Sequence, residues 1–128
     1  MRSLPGFSLI ELLVVLVVLA ILFSIAVPGM LGVRRRAYDT AAQTHLREAV
    51  AHQFAYAVDH GDYADDLAEL RSEGLREVPG VELELRSGGG SFCMLARHRY
   101  GRYWYAATPS ALVNTGVRAQ DPAPADCP

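Results

Sequence analysis

The sequence has no lysine: all twelve of its cations are arginine, set against fourteen acidic side chains for a net charge of −2. That near-balance excludes a bulk field able to hold nucleic acid or acidic lipid, and nothing in the arginine spacing explains the missing lysine. Cysteine is almost as scarce, with only Cys93 and Cys127, too far apart for a CxxC metal or redox site. Catalytic patterns are missing too. No nucleophile elbow surrounds Ser72, Ser91 or Ser110, and no acid pair stands at a readable spacing, so the chain does not read as an enzyme. His45, Glu48 and His52 can share a helix face, but they spread over two turns and read as solvated surface. Asp59, Asp62, Asp65 and Asp66 lack an EF-hand pattern and read as caps and turns. The expectation is no metal and no cofactor. At 128 residues there is room for one compact domain and little more.

What the sequence does have is apolar excess at one end. Residues 7–33 hold 21 apolar side chains in 27 positions, while the rest has an ordinary globular fraction. From Phe7 to Val27 only Ser8, Glu11 and Ser24 interrupt the run. As a helix that stretch is about 31 Å long, the thickness of a bilayer's hydrocarbon core. A cleaved secretory signal fits poorly, because its apolar region is shorter and ends at a small-x-small site, whereas here Ser24 to Ala26 lead directly to Pro28. The reading is a membrane-seeking helix followed by a small head.

Glu11 costs up to about 3 kcal/mol in a spanning helix, less near its end, so it needs a partner or a purpose. An interfacial glutamate near the positive end of the helix dipole is the modest explanation. The residues around it favour a sharper one. Met1-Arg2-Ser3-Leu4-Pro5-Gly6 is a short polar leader ending in glycine, and GFSLIELLVVLVVLAIL follows from Gly6. This stretch resembles the class III signal of type IV prepilins and pseudopilins. The resemblance implies cleavage by a prepilin peptidase between Gly6 and Phe7, N-methylation of Phe7, an assembly and register role for Glu11, and a helix kink at Pro28. It also implies a homo-oligomeric helical filament, an inner-membrane assembly platform as partner, and contact with membrane lipid before assembly. In a filament the Glu11 carboxylate of one subunit can meet the Phe7 ammonium of another, where either charge alone would be costly. Localisation follows as a single-pass inner-membrane precursor with a cytoplasmic N-terminus, then an extracellular filament. Arg34-Arg35-Arg36 opposes that orientation by the positive-inside rule; the family resemblance and the two cysteines outweigh it.

Beyond Pro28, Gly29 and Gly32, the residues Tyr38, Ala42, Leu46, Val50 and Phe54 recur every four positions, as on one face of a helix reaching about residue 60, where Gly61 stops it. A short helix with Leu67, Leu70 and Leu75 turned inward comes next. Val81–Arg86, Ser91–His98 and Tyr103–Thr108 then read as strands separated by Gly88-Gly89-Gly90 and Gly101. The expected fold is α+β: a long N-terminal helix packed on a three-stranded antiparallel meander, with a C-terminal loop closed by a Cys93–Cys127 disulfide and otherwise unpinned. A disulfide suits a head exported from the reducing cytosol, and closing a loop of about 35 residues stabilises the head by about 3 to 4 kcal/mol in the chain-entropy model.

The chain therefore divides into a leader, 1–6, a membrane or filament-core helix, 7–33, and a head, 34–128. Its best surface for a ligand is Arg97, Arg99, Arg102, Tyr103 and Trp104, where arginines interleaved with aromatics suit DNA or another surface. A hairpin whose aromatics pack on the helix while its arginines face water explains the same residues more simply. The function expected is a structural subunit of a type IV pilus-like filament. The alternatives are a minor pilin, a type II secretion pseudopilin, a filament-associated DNA-uptake or adhesion receptor, and a single-span protein that never polymerises.

Overall fold

The structure is a computed structural model and describes residues 5–128. Chain contacts divide it into two units, with the boundary between Arg34 and Arg35. The first helix, α1 (Leu9–His60), contributes to both.

In the first unit, Ser8 caps α1: its Oγ accepts the Glu11 backbone N–H at 3.2 Å, the Ser-x-x-Glu pattern of a capping box. Every residue from 7 to 33 is exposed, and by length and composition this part of α1 can cross a membrane. Leu, Val and Ile on all sides leave no polar face for water. Pro28 lies inside α1, where it removes one backbone donor from the helical ladder.

In the second unit, α1 packs through Asp39, Ala42, His45, Leu46, Ala49 and Gln53. This differs from the expected stripe. A spacing of four residues turns by 400°, so a face counted in fours drifts about 160° over four steps, and Phe54 ends 42% exposed while Gln53 is fully buried. Gln53 is satisfied there: its Nε2 donates to the Ala64 carbonyl at 3.0 Å and its Oε1 accepts the Ala64 N–H at 2.9 Å. That pair fixes the loop into α2 (Leu67–Ser72), whose N-cap Asp66 accepts the Glu69 N–H. Leu70 and Leu75 are buried as expected, Leu67 half-buried.

The sheet has four strands, β1 (Val81–Gly88), β2 (Ser91–His98), β3 (Tyr103–Ala107) and β4 (Leu112–Arg118), in the order β1-β2-β3-β4 and all antiparallel. The three-strand expectation is corrected by β4. That strand carries Asn114 and Gly116 in its middle, residues that ordinarily mark loops. It persists as a sheet edge: Thr115 Oγ1 donates to the Trp104 carbonyl at 2.8 Å, and the register shifts between Tyr103 and Tyr105.

Two cores result. On one face Phe92, Met94, Ala96, Tyr105 and Ala107 meet α1 and α2. On the other, Cys93, Leu95, Trp104 and Ala106 are covered by Val117, Ala123 and Cys127. Strand β2 is thus buried on both sides, which accounts for the unalternating run Phe92 to Ala96. The tail responsible is held by more than the Cys93–Cys127 bridge, whose Cα atoms are 6.2 Å apart. Arg86 donates to the carbonyls of Pro124 and Ala125, both at 2.8 Å, Trp104 Nε1 donates to the Asp121 carbonyl at 3.0 Å, and Arg97 donates to the Ala119 carbonyl. The expected loop pinned only by its cysteine is therefore a fixed layer of the head.

Candidate functional site

Among the described residues, the N-terminal stretch from Pro5 to Glu11 is exposed throughout. Phe7 is 85% exposed, and a methyl group built on Gly6 would meet nothing within 4 Å. Glu11 stands in the first turn of α1, where the helix dipole favours a carboxylate, and among the described residues no cation pairs with it. Met1 to Leu4 of the leader, including Arg2, lie outside the described residues. Gly6, Phe7 and Glu11 thus share one accessible helix end, where the Ser8 cap is the side-chain hydrogen bond formed among the described residues.

The arginine-aromatic hairpin is arranged differently from an open basic surface. Arg97 pairs with Glu82 at 2.7 Å and lies 4.7 Å over the Trp104 ring, and Trp104 is only 4% exposed. Arg102 is bound to Asp39: its backbone N–H donates to Oδ1 at 2.7 Å and its Nε to Oδ2 at 2.8 Å. This contact holds the guanidinium pKa above its ordinary value, chiefly through the hydrogen bond. Tyr103 is half-buried under Arg102. Arg99, over the ring of Tyr100 at 4.9 Å, is the one of the three without an ion pair among the described residues. Asp39 was not legible as a partner, although an acid on the apolar side of an amphipathic helix is the signal that points to it. Gly101 makes the approach feasible, since a Cβ there would stand 2.8 Å from Asp39 Oδ1.

Beside this pair His98 is buried and stacked on Tyr38, ring centroids 4.4 Å apart. Its Nδ1 accepts the Tyr100 N–H at 3.1 Å, and Gly80 packs so closely on Nε2 that a Cβ would lie 2.6 Å away. Burial pushes the His98 pKa below 6.5, the Arg99 charge adds to this, and Asp39 opposes it. The folded head therefore resists a proton that the unfolded chain accepts. The stabilisation is complete above about pH 6.5 and is lost as the pH falls through the lowered folded value. Thermal unfolding of the full chain in detergent is expected to shift to lower temperature from pH 7 to pH 5, and His98→Gln to flatten that dependence; an equal slope in the variant would remove His98 as its source.

Three of the four acidic residues near the end of α1 serve local structure. Asp62 accepts the Tyr63 N–H, Asp65 accepts the Ser87 hydroxyl at 2.7 Å, and Asp66 caps α2. His45 and Glu48 approach to 3.5 Å, and no group of three metal-ligating side chains assembles among the described residues.

An accessible apolar helix with a capped, carboxylate-bearing start, joined to an α+β head with a disulfide-held tail, defines a protein with a prepilin-type N-terminus. Residues 1–27 match the family model described as the prokaryotic N-terminal methylation motif. Over 127 residues, 95% of this chain and 97% of the relative, the sequence is 40% identical to the type IV wide pilus major component PilA4 of Thermus thermophilus. The chain belongs to the type IV pilin family. It is also 32% identical to the competence protein ComGC of Halalkalibacterium halodurans over 87 residues, 65% of this chain and 85% of that one. A ComG operon protein 3 homolog of Bacillus licheniformis is 35% identical over 69 residues, 54% of this chain and 71% of the relative.

Proposed function

We propose that the protein is a non-enzymatic subunit of an extracellular type IV pilus-like filament. A prepilin peptidase cuts between Gly6 and Phe7, and Phe7 is then N-methylated. Residues 7–33 hold the subunit in the inner membrane with its N-terminus cytoplasmic until the assembly platform draws it into the filament. The observation that carries this reading is the helix itself: from 7 to 33 every residue is exposed, and an apolar surface of that size needs lipid or other copies of the same helix. Glu11 supplies the register, because a carboxylate and a neighbouring Phe7 ammonium compensate one another away from water.

A competence pseudopilin is the second reading, supported by the two competence-protein relatives. The pilus reading is preferred because the wide-pilus relative matches nearly the whole chain, head included. The candidate DNA or surface contact contracts to Arg99 with Tyr100, since Arg97, Arg102 and Trp104 have internal partners.

Intact mass of the protein in sheared filaments tests the processing directly. The expected species is residues 7–128 with one added methyl group and two oxidised cysteines. Gly6→Val is expected to accumulate precursor, since the peptidase's access to this bond depends on the bare glycine backbone; an unchanged mature mass in the variant would refute cleavage here.

A further inference from the structure

The run Arg34-Arg35-Arg36 has no part in anything assigned so far, and it stands where the positive-inside rule would not put it. All three arginines are exposed, and none forms an ion pair among the described residues. The nearest acid in sequence, Asp39, is buried and already held by Arg102.

The fold adds to this end of the head unit, which begins at Arg35. Tyr38 lies one helical turn beyond Arg35, and its ring packs against Tyr100 with centroids 5.6 Å apart. Asp39 lies one turn beyond Arg36 and accepts the Arg102 backbone N–H. The β2–β3 turn is therefore seated at the start of the head's part of α1, which sets Arg99 and Tyr100 at the same end of the head as Arg35 and Arg36. Arg99 is exposed, lies over the Tyr100 ring and has no ion pair among the described residues, and Tyr100 is 56% exposed.

Chain length brings that end to a membrane surface. Residues 7–33 as a helix measure about 40 Å, close to the thickness of a bilayer with its headgroups, about 40 to 45 Å. Val33 and Arg35 are two residues apart, at most about 7 Å of chain. When the apolar stretch spans, these cations arrive at headgroup level. The chain as a whole has no field for acidic lipid, but this end carries unpaired arginines while its nearest acid is taken. A guanidinium fork matches the oxygens of a phosphate, and exposed tyrosine suits the headgroup layer.

We propose that Arg35, Arg36, Arg99 and Tyr100, continuing the basic run from Arg34, form a docking surface for anionic phospholipid headgroups of the leaflet on the head's side. This rests on the reading of residues 7–33 as a membrane span. Headgroup binding offsets the cost of carrying the arginines across and fixes the depth of the subunit before assembly. Cleavage after Gly6 removes Arg2, so the arginines flanking the span of the mature subunit all stand on the head's side.

Phosphatidylglycerol and phosphatidylcholine are the probes. Full-length protein in detergent micelles is titrated with each lipid, and the lipid retained is counted by native mass spectrometry. Phosphatidylglycerol is expected to saturate at the lower concentration. Arg35→Gln, Arg36→Gln and Arg99→Gln together are expected to weaken its apparent affinity about a hundredfold, at about fivefold per arginine. These side chains are exposed, and an unchanged melting temperature checks the fold of the variant; should it melt lower, the single variants carry the test at about fivefold each. Equal retention of the two lipids by the wild type, or equal phosphatidylglycerol affinity in wild type and variants, overturns the proposal. A triple variant that keeps its phosphatidylglycerol affinity but forms no filaments assigns the arginines to acidic groups of a neighbouring copy and overturns it too. Alkaline extraction of membranes containing the wild type tests the underlying reading by itself. Release into the aqueous phase removes the span and the proposal with it, whereas protein that stays embedded yet does not distinguish the two lipids removes only the headgroup surface.

Discussion

Glu11→Ala is expected to yield a protein that enters the membrane normally and fails to form filaments. Removing a carboxylate from an apolar helix makes insertion easier, by up to about 3 kcal/mol if it sat at mid-bilayer and by less at the helix end. Assembly responds in the opposite direction. In the filament each Phe7 ammonium would lie among packed apolar helices with its compensating charge removed, and breaking a buried pair from one side costs about 3 to 5 kcal/mol. At about 1.4 kcal/mol per tenfold, each subunit addition weakens by about two to three and a half orders of magnitude. Comparing sheared surface filaments with the membrane fraction by immunoblot separates the two effects. Normal piliation by Glu11→Ala would overturn the register role, and loss from both fractions would point to an unstable precursor.

Arg102→Ala is expected to destabilise the head by about 3 kcal/mol, the low end for an uncompensated buried charge. Asp39 is 4% exposed in its side chain whereas Arg102 is 42% exposed, so removing the arginine strands a carboxylate that cannot reach water. The Arg102 backbone N–H still donates to Oδ1, which keeps the loss from being larger. Asp39→Ala leaves a guanidinium free to turn outward and is expected to cost less. The double variant is expected to cost less than the sum of the two single ones, the signature of a direct pair. For a head of this size, 3 kcal/mol corresponds to a melting temperature lower by about 12 °C or more, measured by circular dichroism on the full chain in detergent. Equal losses from both single variants, adding without coupling, would contradict the assigned geometry.

Much of this molecule can be read from residue order, for reasons that differ by region. The exposed apolar helix is legible because a long run with so few polar interruptions has few other uses, and Gly6, Phe7 and Glu11 narrow those further. The first three strands are legible because Gly88 to Gly90 and Gly101 punctuate apolar segments of strand length. What escapes is whatever depends on tertiary partners. The edge strand β4 has a loop-like composition and is held by pairing with β3. The buried face of α1 contains Asp39, His45 and Gln53, so a search for apolar periodicity passes over the positions that orient the head. The arginines at 97 and 102 look alike in sequence to Arg99, and only Glu82 and Asp39, 15 and 63 residues away, separate anchors from surface. The tail shows no periodicity because, beside the Ala123 and Cys127 side chains, it contributes a row of carbonyls offered to Arg86, Arg97 and Trp104, and backbone acceptors leave no trace in side-chain pattern.

The cap at Ser8 has a bearing on maturation. The bond between Gly6 and Phe7 lies upstream of the residue that satisfies the first turn of α1, so hydrolysis there would change the electrical character of the helix end without shortening the helix. The new ammonium would arrive where the dipole is already positive, a place its own helix disfavours. On the proposed assembly, a freshly trimmed subunit would thus carry a small built-in electrostatic grievance that a neighbour's Glu11 would relieve, and proteolysis would act as the step that arms the monomer for polymerisation.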